Sequence, residues 1–303
     1  MALPPTPTIL RGELRRDEPM ARHVSWRAGG RAKAFYRPAD VADLSAFLRT
    51  LPPDERLLFV GLGSNLLVRD GGFDGTVVFT HHALVGIEAL EATRPTVKAG
   101  AGVPLPHLAR FAAKHGAGGC EWMAGVPGTV GGALAMNAGC YGGETWNHVV
   151  AVETIDREGE VRLRTAADYV IGYRHVELRA SHAEWFLSGV FAWEPGDEAI
   201  ARSRMKELLS RRVASQPLNE PNAGSVFRNP EGDHAARLVE ACGLKGHRIG
   251  GAEVSRKHSN FIVNTGGASA ADIEALVNHV QSTVQARTGV LLEREVRIVG
   301  ERA

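Results

Sequence analysis

Cysteine is scarce: three in 303 residues (Cys120, Cys140, Cys242), with no C-x-x-C pair. An odd, scattered set cannot complete a disulfide framework, which favours a reducing compartment. No Asn-x-Ser/Thr acceptor occurs, and no apolar run approaches the ~20 residues of a membrane span. Met1–Arg16 holds three prolines and no apolar stretch of signal-peptide length. The cytoplasm is the expected location. A charge surplus is missing as well. Thirty-five Lys and Arg against 34 Asp and Glu leave a net +1, which argues against a nucleic-acid partner. Lysine itself is rare. Of the basic residues, 29 are arginine, a bias typical of GC-rich genomes that also suits bidentate contact with phosphate and carboxylate.

Several chemical motifs are absent. There is no G-x-x-x-x-G-K-[ST], so no P-loop, and no H-E-x-x-H or Cys/His ligand spacing, so no metal site is expected. His81-His82 alone fits a surface or core pair better than a ligand set. No G-x-S-x-G elbow occurs. Gly61-Leu62-Gly63-Ser64-Asn65-Leu66 opens like a dinucleotide fingerprint, but Leu66 stands where the third glycine belongs and no helix is expected after it.

Glycine is in excess: 35 residues, about 12% against a usual ~7%. With 44% hydrophobic and 23% charged residues and a mean hydropathy of −0.12, the chain reads as an ordinary globular protein. At ~150 residues per domain its length suggests roughly two. Residues 1–20 read as a poorly ordered arm. Strands are expected at Ala34–Arg37, Leu57–Gly61, Thr76–Thr80, Thr96–Ala99, Val149–Asp156, Glu160–Thr165 and Trp185–Trp193. Helices are expected at Val41–Thr50, opened by Asp40, and at Leu105–His115. The character changes near Pro195. An amphipathic helix over Asp197–Arg212, a strand at Ser225–Arg228, a helix near Ala235–Cys242, a strand at Asn260–Asn264, a helix Ala270–Arg287 capped by Ser269, and a strand Glu295–Val299 follow. The expected fold is α+β: a glycine-rich unit over 21–195, split near 82, and a smaller α/β unit over 196–303.

Two glycine segments stand out, because glycine lets successive backbone N–H groups converge on an anion. The first is Gly61, Gly63, Ser64, Asn65 and Leu66. A plain strand–turn–strand would look similar. The second is Gly125-Val126-Pro127-Gly128-Thr129-Val130-Gly131-Gly132, continuing to Gly143. Two such loops favour a large diphosphate-containing cofactor. A third segment, Ser25-Trp26-Arg27-Ala28-Gly29-Gly30, precedes the first expected strand.

With these segments stand Gly172-Tyr173-Arg174, Asn222-Ala223-Gly224-Ser225-Val226-Phe227-Arg228-Asn229-Pro230, Lys257-His258-Ser259-Asn260-Phe261 and Leu292-Glu293-Arg294-Glu295-Val296. In this order, from about Met20 to Gly300, the sequence resembles the bacterial UDP-N-acetylenolpyruvoylglucosamine reductases (MurB), in the shorter second type. That family sits in the vanillyl-alcohol oxidase and p-cresol methylhydroxylase (PCMH) flavoprotein superfamily. The resemblance implies a PCMH-type FAD-binding unit of two subdomains with FAD between them, and a C-terminal substrate-binding domain. It implies an enzyme of peptidoglycan precursor synthesis with FAD and NADPH as cofactors and a UDP-sugar as substrate. No membrane partner is expected, and the chain is expected to be a monomer.

The resemblance also implies site roles. Arg174 matches the family's catalytic arginine, Ser225 its proton donor and Glu295 its third catalytic residue. Gly61, Gly63, Ser64, Asn65, Leu66, Gly125, Val126, Pro127, Gly128, Thr129 and Gly132 fall in its cofactor loops. For the substrate diphosphate the candidates are Arg211 and Arg212, with Arg212 the better spaced from Ser225. Arg228 and Asn229 are further candidates. Two positions depart from the family: Val176 replaces a polar residue and Val24 a threonine. Two other readings remain: an oxidase of the same superfamily, for which the C-terminal unit is short, and a non-catalytic flavin-binding regulator, which would not need Arg174, Ser225 and Glu295 together.

Overall fold

The computed structural model describes residues 10–303. The first part of the expected arm, 1–9, lies outside the described residues. Strands β1 (Glu13–Pro19), β2 (Arg31–Arg37), β3 (Leu57–Val60), β4 (Leu66–Val68) and β5 (Phe73–Phe79) and helix α1 (Val41–Leu48) form the first unit. Its main sheet has the order β1-β2-β5-β3, parallel except for β1. Asp40 caps α1, accepting from Asp43 N at 2.9 Å. The expected arm is corrected here, because residues 13–19 are strand β1, paired from Glu13↔Arg37 to Pro19↔Arg31. Its proline and charges look like disorder in one dimension. In three, the buried Glu18 carboxylate accepts from Arg15 at 3.0 Å and bonds the His23 ring at 2.8 Å.

The second unit carries β6 (Ile87–Leu90), β7 (Thr96–Gly100), α2 (Leu105–Lys114), α3 (Val130–Met136), β8 (Val149–Asp156), β9 (Val161–Arg164), β10 (Tyr169–Gly172), β11 (His175–Leu178) and β12 (Glu184–Ala192). Five strands form an antiparallel sheet in the order β9-β8-β12-β7-β6. Strands β10 and β11 form a separate hairpin. Leu44, Leu48 and Val78 of the first unit pack with Leu84, Ala101, Ile155 and Leu187 and seal the two units together. Helix α3 starts inside a segment that its glycines mark as loop. Tertiary bonds compensate for that poor propensity: Val130 N and Gly131 N donate to Val103 O and Ala101 O, both at 2.9 Å.

Helix α4 (Glu198–Ser215) sinks Ala201, Met205 and Leu208 into the second unit's core beside Leu108, Trp122 and Met123. The divide expected at 195 therefore moves to the end of this helix. The pattern showed an amphipathic helix but not which unit its apolar face would meet. The third unit holds α5 (Ala235–Ala241), β13 (Arg248–Ile249), β14 (Ala252–Val254), β15 (Ile262–Asn264), α6 (Ala270–Thr288) and β16 (Arg297–Val299). Its small antiparallel sheet, β13-β14-β15, and α6 share a core built on Ile273, Leu276, Val277, Val280 and Val284. Strand β16 leaves that unit and pairs in parallel with β4 of the first, Arg297↔Leu66 to Val299↔Val68. The strand expected at Ser225–Arg228 is reduced to one bridge, Phe227↔Arg294. Its main chain is held largely by other means.

Candidate active site

The glycine loops meet. The first follows β3 at the carboxyl end of a parallel pair, where open sheets place their ligands. The second runs into the first turn of α3. A side chain on Gly61 would collide with Thr129 Oγ1, and one on Gly63, whose φ is +61°, with the His23 carbonyl. Across the gap, a Cβ on Gly128 would stand 3.7 Å from Ser64 Oγ. Thr129 is buried, and among the described residues its hydroxyl has no partner although it stands at the start of α3. An orphaned buried hydroxyl between two glycine-bearing loops fits a polar, diphosphate-bearing group. The segment Ser25–Gly30 backs the first loop, with Ser25 N donating to Gly63 O at 3.1 Å. Val24 is buried beside Gly63, so the missing threonine leaves an apolar contact there.

Not every loop residue points into this gap. Leu66 turns into the first unit's core and Pro127 is exposed. Val126 packs on the second unit's core. Gly125 is buried, with Cys140 and Tyr141 occupying the space a side chain would need. Gly132 opens toward Thr129 Oγ1, 3.8 Å from a Cβ placed there. Asn65 is a tie: its Nδ2 donates to Glu295 O at 3.1 Å, and its carbonyl accepts from Arg297 N at 3.0 Å.

That tie leads to the second cluster. Arg174 sits in the turn between β10 and β11 with φ +53°, uncommon for a side-chain-bearing residue. Its Nε donates to Glu295 Oε1 at 3.1 Å, Nη1 to Asn137 O at 3.3 Å and Nη2 to Gly139 O at 2.5 Å. Both side chains of the Arg174–Glu295 pair are about 15% exposed, 14% and 15%. Burial raises the Glu295 carboxyl above the usual range, opposed by Arg174 and then Arg228. Ser225 is half-buried on the adjoining segment, where Val226 O accepts from Glu295 N at 2.8 Å. Arg228 Nη2 closes the circle by donating to Arg174 O at 3.0 Å.

The two arginines left open by the sequence separate. Arg211 is exposed and paired with Glu207 at 2.5 Å. Arg212 turns inward, donates to Gln216 Oε1 at 2.9 Å, and is pulled below its ordinary value by burial. It lies beside Cys140 and Tyr141. Burial pushes the Cys140 thiol up to about 11, against Arg212 and then Arg174. Arg212 and Arg174 thus flank one small-residue corner. Asn229 is exposed and its Oδ1 accepts from Ala235 N at 3.1 Å, serving the first turn of α5. Val176 is half-buried and packs on the second unit's core, as an apolar residue in the hairpin should.

Residues 32–164 match the family model described as an FAD binding domain, and 216–299 the model of the UDP-N-acetylenolpyruvoylglucosamine reductase C-terminal domain. The UDP-N-acetylenolpyruvoylglucosamine reductase of Thiobacillus denitrificans is 58% identical over 98% of this chain and 95% of that protein. The one from Alkalilimnicola ehrlichii is 57% identical over 96% of each. The chain belongs to the UDP-N-acetylenolpyruvoylglucosamine reductase family. Its fold agrees: the MurB crystal structure from Thermus caldophilus matches with a TM-score of 0.77 and 30% identity, over 96% of this chain and 99% of that one. As a member of that family the protein is an FAD-dependent oxidoreductase. The C-terminal model begins at residue 216, just past the end of α4. Sequence reasoning had missed Asn137, whose carbonyl holds Arg174, and Tyr141, whose hydroxyl donates to Leu208 O at 3.2 Å on the helix that carries Arg212. Along the chain their signal is slight, two residues with side chains in a glycine-rich run, and only the fold shows that both take positive φ, at +45° and +52°.

Proposed function

We propose that the protein reduces the enolpyruvyl ether of UDP-N-acetylglucosamine-enolpyruvate to UDP-N-acetylmuramate, with Arg174, Glu295 and Ser225 dividing the chemistry. The observation that carries this is the secluded Arg174–Glu295 pair beside the Ser225 segment, where all three units meet. When bound, FAD supplies the hydride it takes from NADPH. Gly61, Gly63, Ser64, Gly128, Thr129 and Gly132 would hold it, through backbone N–H groups and the free Thr129 hydroxyl.

Hydride addition at the terminal enol carbon leaves negative charge at the neighbouring carbon, shared with the substrate carboxylate. Arg174 is fixed by two carbonyls and a carboxyl, so its remaining charge meets that developing anion without reorganisation. Burial raises the Glu295 carboxyl, which favours its protonated form, and in that form it donates a hydrogen bond to the enolate oxygen. Ser225 gives its hydroxyl proton to the carbon. A hydroxyl is a weak acid, but a carbanion-like partner is a strong base. Arg212, inward-facing and, among the described residues, without a carboxylate partner, takes the substrate diphosphate, and Arg211 stays in solvent.

Three free cysteines suit a reducing compartment, and we place the protein in the cytoplasm, where its product feeds cell-wall synthesis, cell shape and division. Among the described residues no helix is long and apolar enough to cross a membrane. We expect a monomer. The test is spectroscopic. Purified protein is expected to show flavin absorbance near ~450 nm, bleached by NADPH and restored by the enolpyruvyl UDP-sugar. Ser225→Ala should keep the bleaching and slow the restoration by at least ~10²-fold, the scale of a lost general acid. Colourless protein that takes up no FAD, or equal loss of both half-reactions, would overturn the assignment.

A further inference from the structure

The main chain around Ser225 is fastened in an unusual way. Val226 and Phe227 each carry one N–H and one carbonyl, and all four groups are used. Val226 O accepts from Glu295 N at 2.8 Å, on the side of the chain's last segment. The other three go to one residue. Val226 N donates to the Asn260 backbone carbonyl at 2.9 Å. Phe227 N donates to Asn260 Oδ1 at 3.0 Å, and Asn260 Nδ2 donates to Phe227 O at 2.8 Å. The side-chain amide of Asn260, 4% exposed, thus stands in for a neighbouring strand over one residue. The segment's other edge keeps one bridge, Phe227↔Arg294, with Arg228 N donating to Glu293 O at 2.9 Å. On the far side of Ser225, Asn222 Oδ1 accepts from Gly224 N at 2.9 Å. These bonds bracket the serine on both sides.

We propose that Asn260 is a positioning residue for the reduction, clamping the Phe227 peptide groups so that the Ser225 hydroxyl and Glu295 keep one fixed separation. This rests on the role given to Ser225 above. The chemistry selects the side chain. A primary amide offers an acceptor and a donor at one end, and the Phe227 main chain needs both. An ionised Asp keeps the acceptor and repels the Phe227 carbonyl. Arg228 follows the clamped residue and donates to the Arg174 carbonyl, so the clamp also steadies that arginine's turn. A shift near 1 Å in a reacting group costs about 10²-fold in rate, so a device of this kind is felt in the chemical step.

The experiment uses flavin-loaded protein and rapid mixing for each half-reaction. With Asn260→Asp, bleaching by NADPH stays within about twofold of the parent while restoration by the enolpyruvyl UDP-sugar slows by about 10²-fold, at nearly unchanged substrate affinity. Combining Asn260→Asp with Ser225→Ala adds less than about threefold to the loss from Ser225→Ala alone, as expected if one residue acts through the other. Asn260→Gln, which keeps both amide functions, lies between, and it replaces Asn260→Asp in the comparison if the latter loses flavin. Ser259→Ala, which removes the neighbouring buried bond to Ala236 O, lowers melting temperature without splitting the half-reactions. Equal slowing of both half-reactions, loss of substrate affinity alone, or multiplying effects in the double variant would each overturn the proposal. Rapid restoration by Ser225→Ala itself would instead remove the proton-donor reading.

Discussion

At the scale of single residues, Glu295 is the position where pH should be visible. Its carboxyl is raised by burial, and the form needed for hydrogen-bond donation is the protonated one. The sign follows directly. Below the raised pKa the donor is present. As pH rises through it, a carboxylate comes to face the substrate carboxylate and the step weakens. The restoration half-reaction should therefore fall as pH rises through that raised pKa, whereas Glu295→Gln, neutral throughout, should lack that limb. A wild-type profile without such a fall would remove Glu295 as the titrating donor. Arg212 shows a second residue-scale lesson. Adjacent arginines on one helix differ by about a third of a turn, enough to send Arg211 to Glu207 in solvent and Arg212 to Cys140.

Among the elements, α3 and the loop before it decide how a glycine-rich segment becomes a cradle. Gly128 is the clean probe, because a Cβ there would meet little except Ser64 Oγ at 3.7 Å and Val126 Cγ1 at 4.0 Å. Gly128→Val should fold with a melting temperature close to the parent's in the absence of flavin, yet leave the gap between the loops partly filled. Flavin content after purification is expected to drop at least tenfold in affinity terms, about 1.4 kcal/mol. Undiminished flavin would mean the loop serves packing alone. The β10–β11 hairpin makes the complementary point. It pairs only with itself among the sheets, and its turn exists to carry Arg174 across to Glu295 at 3.1 Å.

Across the whole molecule, the site depends on the third unit being tied back to the first. Trp26 Nε1 donates to Ile262 O at 2.8 Å, β16 lies along β4, and Arg69 binds Glu274 of α6 through Nε at 2.7 Å and Nη2 at 2.9 Å. Arg69 also donates to Gly300 O at 3.0 Å, just past the strand that follows Glu295. Its hydrogen bond lowers the Glu274 carboxyl below its ordinary value. That contribution is present above the unfolded pKa and is lost as pH falls through the lower folded one. Arg69→Met should cost about 1–3 kcal/mol at neutral pH, read by thermal melts, with a smaller penalty in acid. Equal melting temperatures at pH 7 would dismiss the pair as a tie. Much was already visible along the chain: the glycine loops, the helices opened by Asp40 and Ser269, and the ordered motifs bearing Arg174, Ser225 and Glu295. Caps, periodicity and backbone freedom are local signals and carried the α+β expectation without reference to contacts, while flavin binding and the family came with the resemblance that the ordered motifs bear. Tertiary structure alone decided the rest. Strand β1 needed a partner and a buried Glu18, α4 needed a unit to bury its face, and the direction of a helix surface turned Arg212 inward and left Arg211 in solvent. The Ser225 segment was held by Asn260, 35 residues away in sequence, because a buried main chain must find its hydrogen bonds wherever the fold offers them.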